Sequence, residues 1–341
     1  MRYFEDFVVG EVVEAGGIDV SQDDLIAFAS RFDAQSFHTD PVAAKASFGG
    51  TLIGSGWHAC GLLMRLMAQT FLLDSASMGA PGVEEVKWLR PLLPGEHVRL
   101  RRTTVEAKES RSRPQMGLVL FRLELLGRDD KPIVEQTNWI MIGRRGSDFA
   151  APRGDWLAHP PVYRAPAEPC DPEPAPGETP PARFFEEIEV GESHELGSLA
   201  FPEHEIVAFA RAFDPQPFHM DAEAARASAF GGLCASGWHT AAGWMATMVV
   251  HRRRQEAAYA AAFGGQDAPR LGPSPGFRNM RWLKPVFVGD RITYRSTVIG
   301  KRVSASRPQW GLFFHRNSGV NQNGEEVFGF DGCVFVERRS G

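Results

Sequence analysis

Two Asp-x4-His segments contain the residues best suited to chemistry in this sequence. Asp33 and His38 form the first segment, and Asp214 and His219 form the second. Five steps along a helix separate two side chains by about 140°, and an odd step along a strand places them on opposite faces. We therefore expect an irregular turn, which would aim both side chains at one small molecule. A carboxylate and an imidazole that share a water molecule can act as a general acid/base pair near neutral pH.

A glycine follows each of these histidines by 18 positions, at Gly56 and Gly237. Each glycine begins a predicted long helix, and the first N–H groups of a helix are unpaired and carry partial positive charge. Glycine lets a ligand approach the backbone closely, so the helix start is a candidate oxyanion hole. In the alternative interpretation, Ser55 and Ser236 cap the helices and the glycines serve only close packing.

Weaker candidates lie at the start of the same helices and in a repeated Ser-x-Ser-Arg-Pro-Gln segment. The arginines of that segment could hold a phosphate through a guanidinium fork, or could be solvated residues at the end of a strand. The weaker substrate-binding candidates are Ser55, Trp57, His58, Arg113, Ser236, Trp238, His239 and Arg307. A metal site could in principle use His38, Asp40 and His58. We expect no metal, because the third ligand of this set is not at a spacing that is diagnostic of a metal site.

The chain consists of two copies of one unit, because five segments recur in the same order. FEDFVVGE (4–11) recurs as FEEIEVGE (185–192), FASRFDAQSFHTD (28–40) as FARAFDPQPFHMD (209–221), FGGTLIGSGWH (48–58) as FGGLCASGWH (230–239), VKWLRPLLPGE (86–96) as MRWLKPVFVGD (280–290), and SRSRPQMGL (110–118) as SASRPQWGL (304–312). This duplication favours the acid/base interpretation over the alternative, in which each Asp ends a helix and each His packs in the core.

The same elements are predicted in both copies. A capped helix precedes each Asp-x4-His segment, a long helix begins at each glycine, and alternating sequences typical of strands follow. This order predicts an α+β fold in which an antiparallel sheet wraps a long helix. The units are predicted at 1–146 and 184–341, joined by a linker at 147–183 that contains 10 of the 24 prolines. The second copy carries about 13 extra residues, since the offset rises from 181 to 194, and the role of this insert at 251–276 is open.

Composition excludes several classes of protein. The formal net charge of −5 lacks the basic excess of a dedicated nucleic-acid-binding protein. No apolar segment reaches the roughly 20 residues of a membrane span, and the N-terminus lacks a signal-peptide pattern. The four cysteines show no CxxC spacing, which favours reduced thiols. We therefore expect a cytoplasmic protein without membrane or nucleic-acid partners.

With FDAQSFHTDP and FDPQPFHMD followed by Gly56 and Gly237, the sequence resembles the MaoC-like dehydratase/(R)-specific enoyl-CoA hydratase family. The resemblance covers both copies and implies a double hotdog, in which the copies pair as two subunits of a hotdog dimer would. It also implies that each Asp-x4-His segment is the catalytic pair, and that the glycine amide binds the thioester oxygen. The sequence departs from the family at two places that concern substrate choice. The Asn-Pro that is frequent in the motif is replaced by Gln35-Ser36 and Gln216-Pro217, and a serine that some members have further along the helix is replaced by Met64 and Met245.

The resemblance implies reversible hydration of a 2-enoyl-CoA to a 3-hydroxyacyl-CoA, with no cofactor besides the coenzyme A of the substrate. An acyl-CoA thioesterase and a non-catalytic acyl-thioester-binding subunit are the alternatives, because a fold alone does not choose among them. Acyl-chain length, stereochemistry and the choice between coenzyme A and a carrier protein stay open. So do the number of working sites and the oligomeric state, for which a homodimer of such chains is one option.

Overall fold

The computed structural model describes residues 1–147 and 154–339. The first half contains β1 (Val12–Asp19), α1 (Gln22–Phe32), α2 (Ser36–Thr39), α3 (Pro41–Ala44), α4 (Gly56–Met67), β2 (Gly82–Trp88), β3 (His97–Glu109), β4 (Met116–Leu126) and β5 (Pro132–Gly143). After β6 (Glu173–Pro174), the second half contains β7 (Ser193–Ala200), α5 (Glu203–Phe213), α6 (Pro217–Met220), α7 (Ala222–Arg226), α8 (Gly237–Ala262), β8 (Gly276–Trp282), β9 (Arg291–Val303), β10 (Trp310–Val320) and β11 (Glu326–Glu337). Equivalent elements of the two halves begin at the same offsets as the sequence repeats, so the duplication extends to the fold.

One sheet of 11 strands runs through both halves in the order β1-β3-β4-β5-β2-β8-β11-β10-β9-β7-β6. The halves join where β2 pairs antiparallel with β8, with Val83 opposite Met280 and Val86 opposite Phe277. Each half therefore contributes its β2-type strand to the centre of the sheet. A single hydrophobic cluster contains residues of both halves, so the two units share one core.

Local sequence explains where the helices that position the site begin. Ser21 and Asp24 form the predicted capping box of α1, and Ser55 caps α4 through its hydroxyl, which accepts from the N–H of Trp57. Asp40 caps α3, whose first residue is Pro41. The helix α4 is buried along nearly its whole surface, since every residue from Trp57 to Met67 is buried. It packs on the sheet and also on α5 and α8 of the second half.

The second long helix is much longer than the first. α4 ends at Met67 and continues as one turn of π-helix at Ala68–Leu72, whereas α8 runs 26 residues to Ala262. The first part of the insert at 251–276 therefore extends the helix. No helix in the described part of the chain is both long and apolar enough to cross a membrane.

The predicted linker packs against both halves. Residues 148–153 of it, and residues 340–341 of the predicted second unit, lie outside the described residues. The ring of Tyr163 is buried and its hydroxyl donates to Glu205 Oε2 at 3.3 Å, while β6 pairs with β7. The carboxylate of Glu205 also forms a buried ion pair with Arg31 of the first half, at 2.9 Å. The linker thus closes over the place where α1 and α5 meet.

Candidate active site

The two Asp-x4-His segments adopt the irregular turn that their spacing predicts. Asp33 is the residue after α1, with φ −150° and ψ 59°, and His38 lies in the single turn of α2. This bend brings Asp33 Oδ2 to 3.4 Å from His38 Nε2. In the second half, Asp214 Oδ2 lies 3.5 Å from His219 Nε2. All four side chains are buried, with 3 to 6% of each residue exposed.

Each aspartate is held by two neighbouring side chains. Asp33 Oδ2 accepts from the hydroxyl of Ser55 at 2.6 Å, and Oδ1 accepts from the amide of Gln35 at 2.8 Å. Asp214 accepts in the same way from Ser236 at 2.6 Å and Gln216 at 2.9 Å. Both oxygens of each carboxylate are therefore oriented, and the serine that caps the long helix ties that helix to the Asp-x4-His turn.

Sequence reasoning missed the two glutamines as functional residues. In the sequence they stood out only because the MaoC-like family often has Asn-Pro at these positions. The available signal was their identical place, two residues after each Asp, in both copies. The hydrogen bond from each glutamine to Oδ1 of the aspartate depends on the shape of the turn, and the repeat does not show that shape.

The histidine tautomer follows from the hydrogen bond that each ring makes on its far side. His38 Nδ1 lies 2.7 Å from the carbonyl oxygen of Ile53, and His219 Nδ1 lies 2.8 Å from that of Cys234. A carbonyl oxygen only accepts, so Nδ1 carries the proton and Nε2 of the neutral ring is bare. Burial lowers the pKa of His219, which favours this neutral form, although the charge of Asp214 opposes the shift. In the neutral ring, Nε2 and the carboxylate oxygen both accept, and a water molecule bound to them could donate one proton to each.

The helix starts lie beside these pairs through the serine bonds. Gly56 and Gly237 are half-buried, while the serine before and the tryptophan after each are buried. The N–H of the first helical residue has no acceptor within its own helix. The backbone of each glycine therefore offers a hydrogen-bond donor at the edge of the site, with a partial positive charge from the helix behind it.

The remaining sequence candidates separate into three groups. Ser55 and Ser236 donate to the carboxylates of the two Asp-x4-His segments, and Trp57 and Trp238 are buried at the first turn of each long helix. His58 and His239 are 1% exposed and stack on Phe28 and Phe209, each at 4.7 Å between ring centroids. Burial lowers the pKa of His58 to about 3, as expected for a packed neutral ring. Arg113 and Arg307 are exposed in the turns between β3 and β4 and between β9 and β10, where the backbone N–H of each donates to the serine three residues earlier and the guanidinium of Arg307 lies over the ring of Phe335 on β11.

The metal ligands weighed in the sequence do not converge. His58 stacks on Phe28, and the carboxylate of Asp40 accepts from the N–H groups of α3. Within residues 1–147 and 154–339, no three or more His, Cys, Asp and Glu side chains are grouped to hold a metal ion.

Curated relatives match parts of the chain. A mesaconyl-CoA hydratase from Cereibacter sphaeroides is 41% identical over 64 residues, which are 19% of this chain and 18% of that protein. The uncharacterized protein YdeM of Bacillus subtilis is 23% identical over 142 residues, which are 41% of this chain and 98% of YdeM. The chain thus spans about a fifth of the length of the hydratase and nearly all of YdeM.

Solved structures match the whole chain in fold. A protein described as a MaoC domain dehydratase, from Chloroflexus aurantiacus, superposes with a TM-score of 0.73 at 16% identity over 99% of this chain and 98% of that one. A Mycobacterium tuberculosis protein with a double hotdog fold gives a TM-score of 0.67 at 16% identity, covering 98% of each chain. The predicted α+β double hotdog is therefore confirmed.

A family model identifies the two units individually. The model of the MaoC like domain matches residues 6–120 and again residues 187–309, one match in each half. Each match includes an Asp-x4-His segment and the glycine that begins the long helix. The chain therefore belongs to the MaoC-like domain family, to which the resemblance in its sequence pointed, with one such domain in each half.

Proposed function

We propose that this protein is a hydro-lyase that reversibly converts 2-enoyl-CoA thioesters into 3-hydroxyacyl-CoA thioesters. One observation carries the proposal. In each half an imidazole Nε2 and a carboxylate oxygen face each other at 3.4 or 3.5 Å, next to the start of a long helix. Membership of the MaoC-like family, with a mesaconyl-CoA hydratase among the relatives, supports the same reaction class.

The proposed reaction places a water molecule between Asp33 and His38. Its oxygen bonds to C3 of the enoyl group while one of its protons passes to the acid/base pair. The π electrons of the C2–C3 bond move toward the thioester oxygen, which becomes an enolate oxygen and accepts a hydrogen bond from the N–H of Gly56. The pair then returns a proton to C2, so the product gains one water and the enzyme is unchanged.

The elements of the site match the demands of this reaction. General acid/base catalysis contributes roughly 10²–10⁴-fold to a rate. A preorganised oxyanion donor contributes about 3 kcal/mol, and the donor here is a backbone N–H that costs no reorganisation. Asp214, His219 and Gly237 would perform the same steps in the second half, so we propose two working sites per chain. Coenzyme A enters only as part of the substrate.

The experiment follows the loss of enoyl-thioester absorbance with purified protein. The substrates are short, medium-chain, branched and dicarboxylic enoyl-CoAs, the last because one relative is named for mesaconyl-CoA. We expect hydration by the wild type, partial loss in Asp33→Asn and in Asp214→Asn, and complete loss in the double variant. The isosteric amide removes the base but keeps the shape of the side chain.

Three results would contradict the proposal. Release of free thiol without hydration would indicate a thioesterase. Tight binding of acyl-CoA that persists in the double variant, without turnover of any substrate, would indicate a binding subunit. Hydration that survives in the double variant would remove the Asp-x4-His segments from the mechanism.

A further inference from the structure

A tryptophan side chain packs directly on the glycine at the start of each long helix. A methyl group added at Gly56 would lie 2.5 Å from Cε2 of Trp88, and one added at Gly237 would overlap Cε2 of Trp282. No real Cβ tolerates such a distance, so glycine is required because the indole occupies the space of its side chain. Of the two explanations that the sequence offered for these glycines, close approach of a ligand and close packing, this contact supports close packing.

The indole of Trp88 also holds the backbone of the first turn. Its Nε1 donates to the carbonyl oxygen of Gly56 at 3.1 Å, and its ring meets that of Trp57 edge to face at 5.6 Å. The ring of Trp282 meets that of Trp238 in the same way at 5.8 Å. In each half one indole therefore contacts both the glycine and the side chain of the residue that follows it.

Each of these tryptophans is itself fixed by the opposite half of the chain. Trp88 ends β2, and its backbone N–H donates to the carbonyl oxygen of Pro275 at 3.0 Å. Trp282 ends β8, and its N–H donates to the carbonyl oxygen of Pro81 at 3.2 Å. Phe277 lies between the halves, stacked on Trp57 at 5.1 Å and edge to face with Trp88 at 5.7 Å.

We propose that Trp88 and Trp282 are positioning residues that aim the N–H of Gly56 and Gly237 at the thioester oxygen, and that the central β2–β8 pair completes both sites. The inference rests on the proposed hydratase function. The tryptophans act through the glycines and do not touch the reacting atoms. A displacement of about 1 Å between a donor and a reacting oxygen can cost up to about 10²-fold in rate, so the direction of the first turn matters.

The test measures each site alone. Asp214→Asn isolates the first site and Asp33→Asn isolates the second. In the first background we expect Trp88→Leu to lower kcat and kcat/KM together, by about 10- to 100-fold, with KM little changed. Trp282→Leu should do the same in the second background. Trp139→Leu is the matched control, since this half-buried tryptophan of β5 stacks with Lys108 and should leave both kcat values unchanged.

A second pair of variants separates the role of the ring from general destabilisation. Gly56→Ala should abolish hydration at the first site, because the methyl group displaces the indole. The double variant Gly56→Ala/Trp88→Leu should be more active than Gly56→Ala, because the smaller side chain makes room for the methyl group. Recovery of activity by a second core substitution cannot come from a loss of stability.

The two halves also give a matched comparison for the hydrogen bond. Trp88 Nε1 donates to Gly56, whereas Trp282 Nε1 is buried without a partner among the described residues. Trp88→Phe should lower kcat of the first site about five-fold, the equivalent of one ordinary hydrogen bond, and Trp282→Phe should leave the second site unchanged. An equal effect in both halves would contradict this assignment.

The outcomes distinguish the two proposals. If wild-type protein and the single Asp variants hydrate no substrate, the hydratase function is overturned. If they hydrate normally and Trp88→Leu and Trp282→Leu keep wild-type kcat, the positioning role is overturned while the function stands. A rise in KM alone, with kcat unchanged, would likewise contradict the positioning role.

Discussion

Single side chains decide the chemistry that each site can perform, and the glutamines are the clearest case. Gln35 and Gln216 each donate to Oδ1 of the neighbouring catalytic aspartate, while the serine donates to Oδ2. These bonds keep the carboxylate turned toward the bare Nε2 of the histidine. The pair therefore depends on four residues in each half, of which only two belong to the Asp-x4-His pattern.

The first prediction concerns Gln35. In the Asp214→Asn background, Gln35→Leu should lower kcat about 10- to 100-fold, because a hydrogen bond to a charged group is worth about 1.5–3 kcal/mol. Steady-state hydration kinetics measure the change. Gln35→Glu should be at least as slow, since it replaces the donor with an acceptor that faces Asp33. Wild-type kcat in Gln35→Leu would show that the aspartate is oriented without it.

The second prediction concerns the pH dependence of the second site. The reaction needs the bare Nε2 of His219, and burial lowers the pKa of this ring below its usual 6.5. Protonation therefore begins only below the range of an ordinary histidine. In the Asp33→Asn background, kcat/KM should stay high below pH 6.5 and fall at lower pH. An acid limb centred above pH 6.5 would contradict the neutral, buried histidine.

At the scale of elements, equivalent strands of the two halves differ in their buried polar groups. His315 and Asn317 on β10 are buried and hydrogen bonded to each other at 2.8 Å, and His315 stacks on Trp244. The matching positions of β4 are Phe121 and Leu123, which are fully buried and apolar. The second half thus buries a polar pair where the first buries hydrocarbon.

This difference leads to a third prediction. Burial lowers the pKa of His315 to about 4, so the unfolded chain binds a proton that the folded chain does not between about pH 6.5 and 4. The contribution of neutral His315 to the free energy of unfolding is fully present above pH 6.5. It falls by about 1.4 kcal/mol per pH unit between pH 6.5 and about pH 4. The variant His315→Phe/Asn317→Leu copies β4 and should lose less stability on acidification. Denaturant unfolding at pH 7 and pH 5 measures the difference, and an unchanged pH dependence would contradict it.

Most of the elements could be predicted from the sequence, and the reasons are local. The capping box of Ser21 and Asp24, the serine before each glycine, and the strand alternation all act within a few residues. The contacts of Trp88 with Gly56 and of Gln35 with Asp33 were not predicted, because they depend on how a strand end or a turn is oriented. The nearly complete burial of α4 was also not predicted, since the sequence does not show that the second half packs on this helix as well.

At the scale of the whole molecule, a buried ion pair joins the two halves, and the linker packs over it. Arg31 and Glu205 have side chains that are 6% and 1% exposed, and the linker adds the hydroxyl of Tyr163 and the N–H of Cys170 to the same carboxylate. Arg31 also donates to the carbonyl oxygen of Cys170 at 2.6 Å. Three separate parts of the chain therefore meet at Glu205.

The fourth prediction follows from this junction. Arg31→Met should lower the free energy of unfolding by about 3–5 kcal/mol, because it leaves a buried carboxylate without its cation. Arg31→Met/Glu205→Gln should recover part of that loss, since the charge is removed as well. Chemical denaturation of the two variants and the wild type measures the values. A double variant that is as unstable as the sum of the single variants would contradict the pairing.

The junction of β2 and β8 also limits how the two halves can diverge. Each half supplies the proline carbonyl that holds the tryptophan of the other, and Phe277 packs against residues of both helix starts. Under the positioning proposal, a descendant that lost the Asp-x4-His segment of one half would still need that half's central strand for activity in the other half. Loss of catalysis in one copy would therefore leave a scaffold under purifying selection, in which the central strand is retained while the catalytic loop is free to vary.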